Sequence, residues 1–248
     1  MFHCRVRAFC AASTLLATIG CSDGGETGSD DPSLSVRVDD TTVKEDVDAF
    51  VVQALDASAT ELELDEHHRV DVAVGGRCIV AGLPFLGAAG PEDVPWGKQS
   101  VSVYRSLSEP CEADPICTAN ELDMGDGIET TIVVYGTVDG QLQVAAFHND
   151  HEDAAQVALR HVAAAGPLRF ELRADSVESG AFDAGEEIVR ELDPGTYDLL
   201  VYPEDTEDNG EPLIERVVEV EDGAFIGLFV VGSLAQESLS LLSHDLAP

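Results

Sequence analysis

The second half of this chain repeats the first, so whatever one half folds into, the other must fold into as well. At an offset of 98, Val70, Val72 and Val74 fall on Leu168, Phe170 and Leu172; Gly82, Gly87 and Gly97 fall on Gly180, Gly185 and Gly195; and Val103-Tyr104 falls on Val201-Tyr202. At 96, Asp126-Gly127 falls on Asp222-Gly223, Val134 on Val230, Gly136 on Gly232 and His148 on His244. Upstream, Ala54-Leu55 matches Ala158-Leu159 at 104, which puts about six extra residues of the first copy within ELELDEHH. The repeat length of about 100 residues is that of an ordinary domain.

Each copy reads as strands. RVDVAV alternates Val70, Val72 and Val74 with Arg69, Asp71 and Ala73, a period of two that gathers the valines on one face. Gly75-Gly76 then turns the chain. QSVSVY and TYDLLVY alternate in the same way, IETTIVVYG and AFIGLFVVG follow Asp-Gly turns, and QLQVAAF and ESLSLLS close the copies. No stretch beyond the first 20 residues keeps a helical period. Short strands with frequent turns predict an all-β chain of two tandem immunoglobulin-like or transthyretin-like β-sandwiches, one over residues 44–150 and one over 151–248.

Residues 1–20 read as a signal peptide, with Arg5 and Arg7 ahead of an apolar run too short to span a bilayer. The run closes on Thr18-Ile19-Gly20-Cys21, which resembles the bacterial lipobox, with Thr18 where Leu is usual. The resemblance implies that Cys21 becomes an acylated N-terminus and that residues 21–43, rich in Gly, Ser, Asp and Pro, are a flexible acidic tether. The chain carries 48 acidic and 13 basic side chains, a formal charge of −35; loss of Arg5 and Arg7 leaves 11 basic and −37. A body so anionic repels a phosphate backbone, which excludes nucleic acid as a partner. It also repels itself, so its stability is expected to rise with ionic strength.

Exclusion of Cys4, Cys10 and Cys21 leaves Cys78, Cys111 and Cys117 in a compartment that permits disulfides. The short Asp-Pro loop between Cys111 and Cys117 favours a clip between those two, with Cys78 free. A C-x5-C pair with no second pair does not make a zinc site.

The second copy runs VALRHVAAAGPLRFELRADSVESGAF, then ELDPGTYDLLVYP, then VVEVEDGAFIGLFVVGSL. It resembles the bacterial family called domain of unknown function 4397, with His161 at that family's opening His and Pro194, Gly195 and Thr196 at its turn. In the first copy Asp56-Ala57 stands where the His is expected, and Trp96-Gly97-Lys98 replaces the turn. The likeness covers most of residues 50–248 and implies extracytoplasmic β-modules, often in tandem, with no established activity.

Candidate chemistry is sparse. The G-x-S-x-G and H-E-x-x-H signatures are absent. Ser243-His244-Asp245 cannot form a relay on a strand, whose neighbours point to opposite faces. His161 reads as a packed or hydrogen-bonded strand-end histidine, and His148-Asn-Asp-His151 as a solvated junction instead of a metal site. Asp205-Thr-Glu207-Asp-Asn209-Gly210 opens like a calcium loop but closes on Arg216, so a calcium site would have to gather Glu204, Asp205, Asp208 and Asn209 at a hairpin tip. Trp96, between Gly90 and Lys98, is the candidate ligand loop, with core burial the equal alternative. Together these features predict a lipoprotein at the outer membrane or cell surface. It would touch the membrane only through its lipid, need no cofactor, and serve a non-catalytic binding or structural role toward an envelope protein or glycan. Calcium-dependent adhesion is the first rival, and an enzyme acting on envelope polymers the second.

Overall fold

The computed structural model describes residues 46–56, 64, 68–125, 129–150, 154–206 and 210–245; residues 1–43, where the sequence led us to expect a signal peptide, an acylated Cys21 and a tether, lie outside them. Every regular element described is a strand. The first copy supplies β1 (Asp46–Ala54), β2 (Val70–Val74), β3 (Arg77–Leu83), β4 (Ala88–Pro95), β5 (Lys98–Arg105), β6 (Cys117–Asp123), β7 (Thr130–Gly136) and β8 (Leu142–His148). The second supplies β9 (Gln156–His161), β10 (Leu168–Arg173), β11 (Val177–Phe182), β12 (Glu187–Glu191), β13 (Gly195–Pro203), β14 (Ile214–Val220), β15 (Phe225–Val231) and β16 (Ser240–Asp245). They make four four-stranded sheets, β3-β2-β5-β6 and β4-β1-β7-β8 in the first copy, β11-β10-β13-β14 and β12-β9-β15-β16 in the second. The chain is two tandem β-sandwiches.

The alternation read in the sequence fills both cores. Val70, Val72 and Val74 meet Val51, Ile132 and Val134 inside the first sandwich. Leu168, Phe170 and Leu172 meet Leu159, Leu228 and Val230 inside the second. Gly75 and Gly76, at φ of 58° and 82°, make the β2–β3 turn, which side chains would resist.

In each copy the first strand runs parallel to the seventh, β1 to β7 and β9 to β15. TTIVVYG of β7 is buried at every position, so both of its faces are covered. Its second face is covered by the other copy: Val52, Ala54, Val133, Tyr135, Ala145 and Phe147 pack against Val162, Phe229 and Val231. The four sheets therefore stack as outer, inner, inner, outer, with a third apolar layer at the seam.

The ladders correct the repeat alignment. Val51 pairs with Ile132 and Leu159 with Leu228, and Ile132 and Leu228 are 96 apart, so β1 matches β9 at 108 and not at 104. His161 therefore corresponds to Gln53, not to Asp56, and the first copy carries 108 less 98, or ten, extra residues between its first two strands. Similarly Thr131 pairs with Phe147 and Gly227 with His244, so His244 corresponds to Phe147 and not to His148. A slip of one residue moves a side chain to the opposite face.

The disulfide also differs from expectation. Cys111 bonds Cys78, 33 residues away, and not Cys117. Asp71, wholly buried on the outer face of β2, accepts from Gly82 N at 2.8 Å and from Cys111 N at 3.2 Å. That anchor draws the β5–β6 loop across the sheet to Cys78 on β3. Cys117 begins β6 and points into the core. Cross-linking a 33-residue loop removes about 3.7 kcal/mol of unfolded-chain entropy, against about 2.2 for the short clip, so the longer closure is also the more stabilising.

Candidate functional site

The sequence candidates do not converge. Trp96 is exposed at 43%, between β4 and β5, with its carbonyl accepting from Gln99 Nε2 at 3.0 Å. It lies at the end of the first sandwich where β7 starts, since the adjacent Gly97 bonds Met124 and Gly125. Glu204 and Asp205 occupy an exposed turn after β13, where Thr206 N donates to Pro203 O at 3.1 Å. Asp208, Asn209 and His151 lie outside the described residues. Among the described residues no three His, Cys, Asp or Glu side chains gather where they could hold a metal.

His161 is packed, as the sequence reading had it. It is fully buried, its Nε2 donates to Gly166 O at 2.9 Å, its Nδ1 accepts from Ala163 N at 3.3 Å, and its ring meets the edge of Phe182. Burial holds its pKa below the ordinary 6.5. Gln53 does the same work in the first copy: Nε2 donates to His68 O and Oε1 accepts from Leu55 N, both at 2.8 Å. Each side chain pins the chain where it leaves the first strand.

Between the copies the seam holds a cation. Arg160 is wholly buried on β9; its Nε donates to Glu187 at 3.0 Å and its Nη2 to Asn149 Oδ1 at 2.7 Å. The guanidinium lies over the rings of Phe147 and Phe229, 4.8 and 5.2 Å from their centroids. Burial lowers its pKa while Glu187 opposes the shift; a guanidinium so placed stays charged. Asn149 passes the network on to Glu129 and Thr131 of the first copy. Burial raises the Glu129 pKa above 4.5, against the hydrogen bond from Asn149. His148 takes no part, meeting Asp123 O at 3.2 Å, whereas His244 stacks edgewise on Phe50 at 4.9 Å.

At the end of the seam where β7 and β9 finish, a cavity of about 540 Å³ opens between the copies, within the usual range for ligand sites. The first copy lines it with Thr137, Val138, Asp139, Gln141 and Gln143, the second with Ala165, Gly166, Pro167, Asp183 and Ala184. Its walls are held firmly. Thr137 and Gln141 bond each other across the β7–β8 turn, and Tyr135 OH donates to Gln143 Oε1 at 2.8 Å. Gly185, at φ 88°, lets that tyrosine approach, since a Cβ there would stand 2.6 Å from the hydroxyl.

The cavity has a counterpart across the seam. Exchange of the copies, at 108 for the first strand and 97 for the last, maps Asp56 onto Ala164 and Ser238 onto Gln141. On the Asp56 side the Ser238 hydroxyl donates to the carboxylate at 2.5 Å, joining the copies. On the other side Ala164 has no side-chain group to offer, and Ala165, Gly166 and Gln141 line the cavity instead. The run Ala163-Ala164-Ala165-Gly166 was visible in the sequence, but its contrast with Asp56 is legible only in the register of the ladders.

No family model matches this chain, and neither does any curated protein. Among solved structures, one of a Bacteroides uniformis protein provisionally assigned to cell adhesion aligns over 81% of this chain and 96% of its own, with 8% identity and a TM-score of 0.21. A likeness of that size carries no argument about function.

Proposed function

We propose that this protein is an exported, lipid-anchored envelope module that binds its ligand, without catalysis, in the cleft between its two copies. One observation carries the reading: both copies contribute walls to a cavity of ligand size, and the apolar seam and the Arg160 network hold those walls in one geometry. A site shared by two fused modules is preorganised, so little binding energy is lost to ordering it. The lipobox-like Thr18-Ile-Gly-Cys21 and the tether after it support display at the bacterial surface, and the likeness of the second copy to the 4397 family agrees with an extracytoplasmic β-module.

Two measurements test the halves of this reading. Cys21→Ser should lose palmitate labelling and leave the membrane fraction; retention there would refute the anchor. Gly166 faces open space, with no atom within 4 Å of an added Cβ, so Gly166→Trp should fill the cleft without disturbing the fold. Cosedimentation of the protein with envelope fragments should fall in that variant, and unchanged binding would refute the cleft as the site.

A further inference from the structure

We infer that the cleft receives an organic cation, an ammonium or guanidinium group, as the side chain of a basic peptide or as a free polyamine. The inference rests on the reading of the cleft as the binding site and names its ligand class. Asp139 from one copy and Asp183 from the other line the cavity, both exposed, and no Lys, Arg or His lines it with them. Neither carboxylate makes an ion pair or accepts a side-chain hydrogen bond among the described contacts. Gln143 Oε1 is taken by Tyr135, so the cleft's remaining acceptors are chiefly anionic. Their charge adds to the field of the whole chain, whose formal −35 has the same sign. An anion is repelled there. An apolar ligand would gain nothing from the two carboxylates, and a neutral sugar would find no aromatic ring among the lining residues to stack on. A nitrogen cation satisfies both carboxylates with charge-assisted hydrogen bonds, about twice the strength of neutral ones.

Calorimetric titration of the intact mature protein tests this, with spermidine, a Lys-Arg-Lys peptide and chitotetraose as probes. The titrations use ~0.15 M NaCl, where a Debye length of about 8 Å suppresses distant attraction. A cation should bind one to one. Asp139→Asn and Asp183→Asn should each weaken it about five- to tenfold, Gly166→Trp should abolish it, and Asp222→Asn, a charge loss at the distant β14–β15 turn, should leave it unchanged. Binding of the peptide alone assigns a polypeptide source, and binding of spermidine alone a polyamine; either supports the inference. Equal weakening by Asp222→Asn would overturn it, reducing the attraction to net charge. Binding of chitotetraose but neither cation, lost in Gly166→Trp, would overturn the ligand class while keeping the cleft. Binding that Gly166→Trp leaves intact would overturn the cleft itself.

Discussion

Truncation of Arg160 to alanine should be among the most damaging single changes at the seam. The side chain is wholly buried and makes two hydrogen bonds to side chains, one to a carboxylate 30% exposed. Bonds of this kind contribute about 1.5–3 kcal/mol each, the partly solvated one at the low end. The stacking on Phe147 and Phe229 adds roughly 0.5–2 kcal/mol for each ring. Against this stands the burial of a guanidinium whose Nη1 has no partner among the described residues. The balance follows the general behaviour of buried pairs, where loss of one member costs about 3–5 kcal/mol while an apolar side chain of similar volume is nearly neutral. Arg160→Ala should therefore lose about 3–5 kcal/mol in urea unfolding, roughly 10 °C in Tm for a chain of this size, and Arg160→Met less than about 2. The alanine variant should also split one unfolding transition into two, as the copies part. A loss below about 1 kcal/mol for alanine, or equal losses for alanine and methionine, would refute the reasoning, the second by showing that only volume matters.

The remaining expectations follow from the same contacts. His161 has its pKa lowered by burial, so its contribution to stability is complete above about 6.5 and is lost as pH falls from there toward the folded value; His161→Gln, which copies Gln53, should keep both hydrogen bonds and flatten this part of the stability–pH curve, and an unchanged slope would refute the assignment. For Glu129 the sign is reversed: its raised pKa means stability is lost as pH climbs above 4.5, so Glu129→Gln should match or exceed the parent at neutral pH, with the difference vanishing in acid; a variant weaker at pH 7 would contradict the shift. Cys111→Ser should lower stability by at most about 4 kcal/mol, and a mass-mapped Cys111–Cys117 peptide would overturn the pairing. Thermal melts should rise equally in calcium, magnesium and sodium chloride matched for ionic strength, as expected for screening of a formal −35; a rise with calcium alone would instead demand a specific site.

The architecture of each copy was legible in the residues alone. Val70, Val72 and Val74 alternate because one face of β2 must be apolar, and the same pattern at Leu168, Phe170 and Leu172 commits the second copy to the same sandwich. The same reading favoured a packed or hydrogen-bonded role for His161, which the structure shows. What periodicity cannot state is what covers a face. TIVVY in β7 is apolar on both sides, and only the tertiary structure supplies the second cover, Phe229 and Val231 of the other copy. The register of β1 was hidden because an accidental Ala-Leu match outweighed a ladder that joins residues about 80 apart, and hydrogen bonds, not letters, fix which residue is opposite which. Cys111 met Cys78 because buried Asp71 holds the intervening loop across the sheet, a contact 40 residues long in sequence. The cleft is the same kind of fact. Its walls come from the β7–β8 turn of one copy and from Ala165, Gly166, Pro167, Asp183 and Ala184 of the other, which meet only after the two copies have been folded and laid face to face.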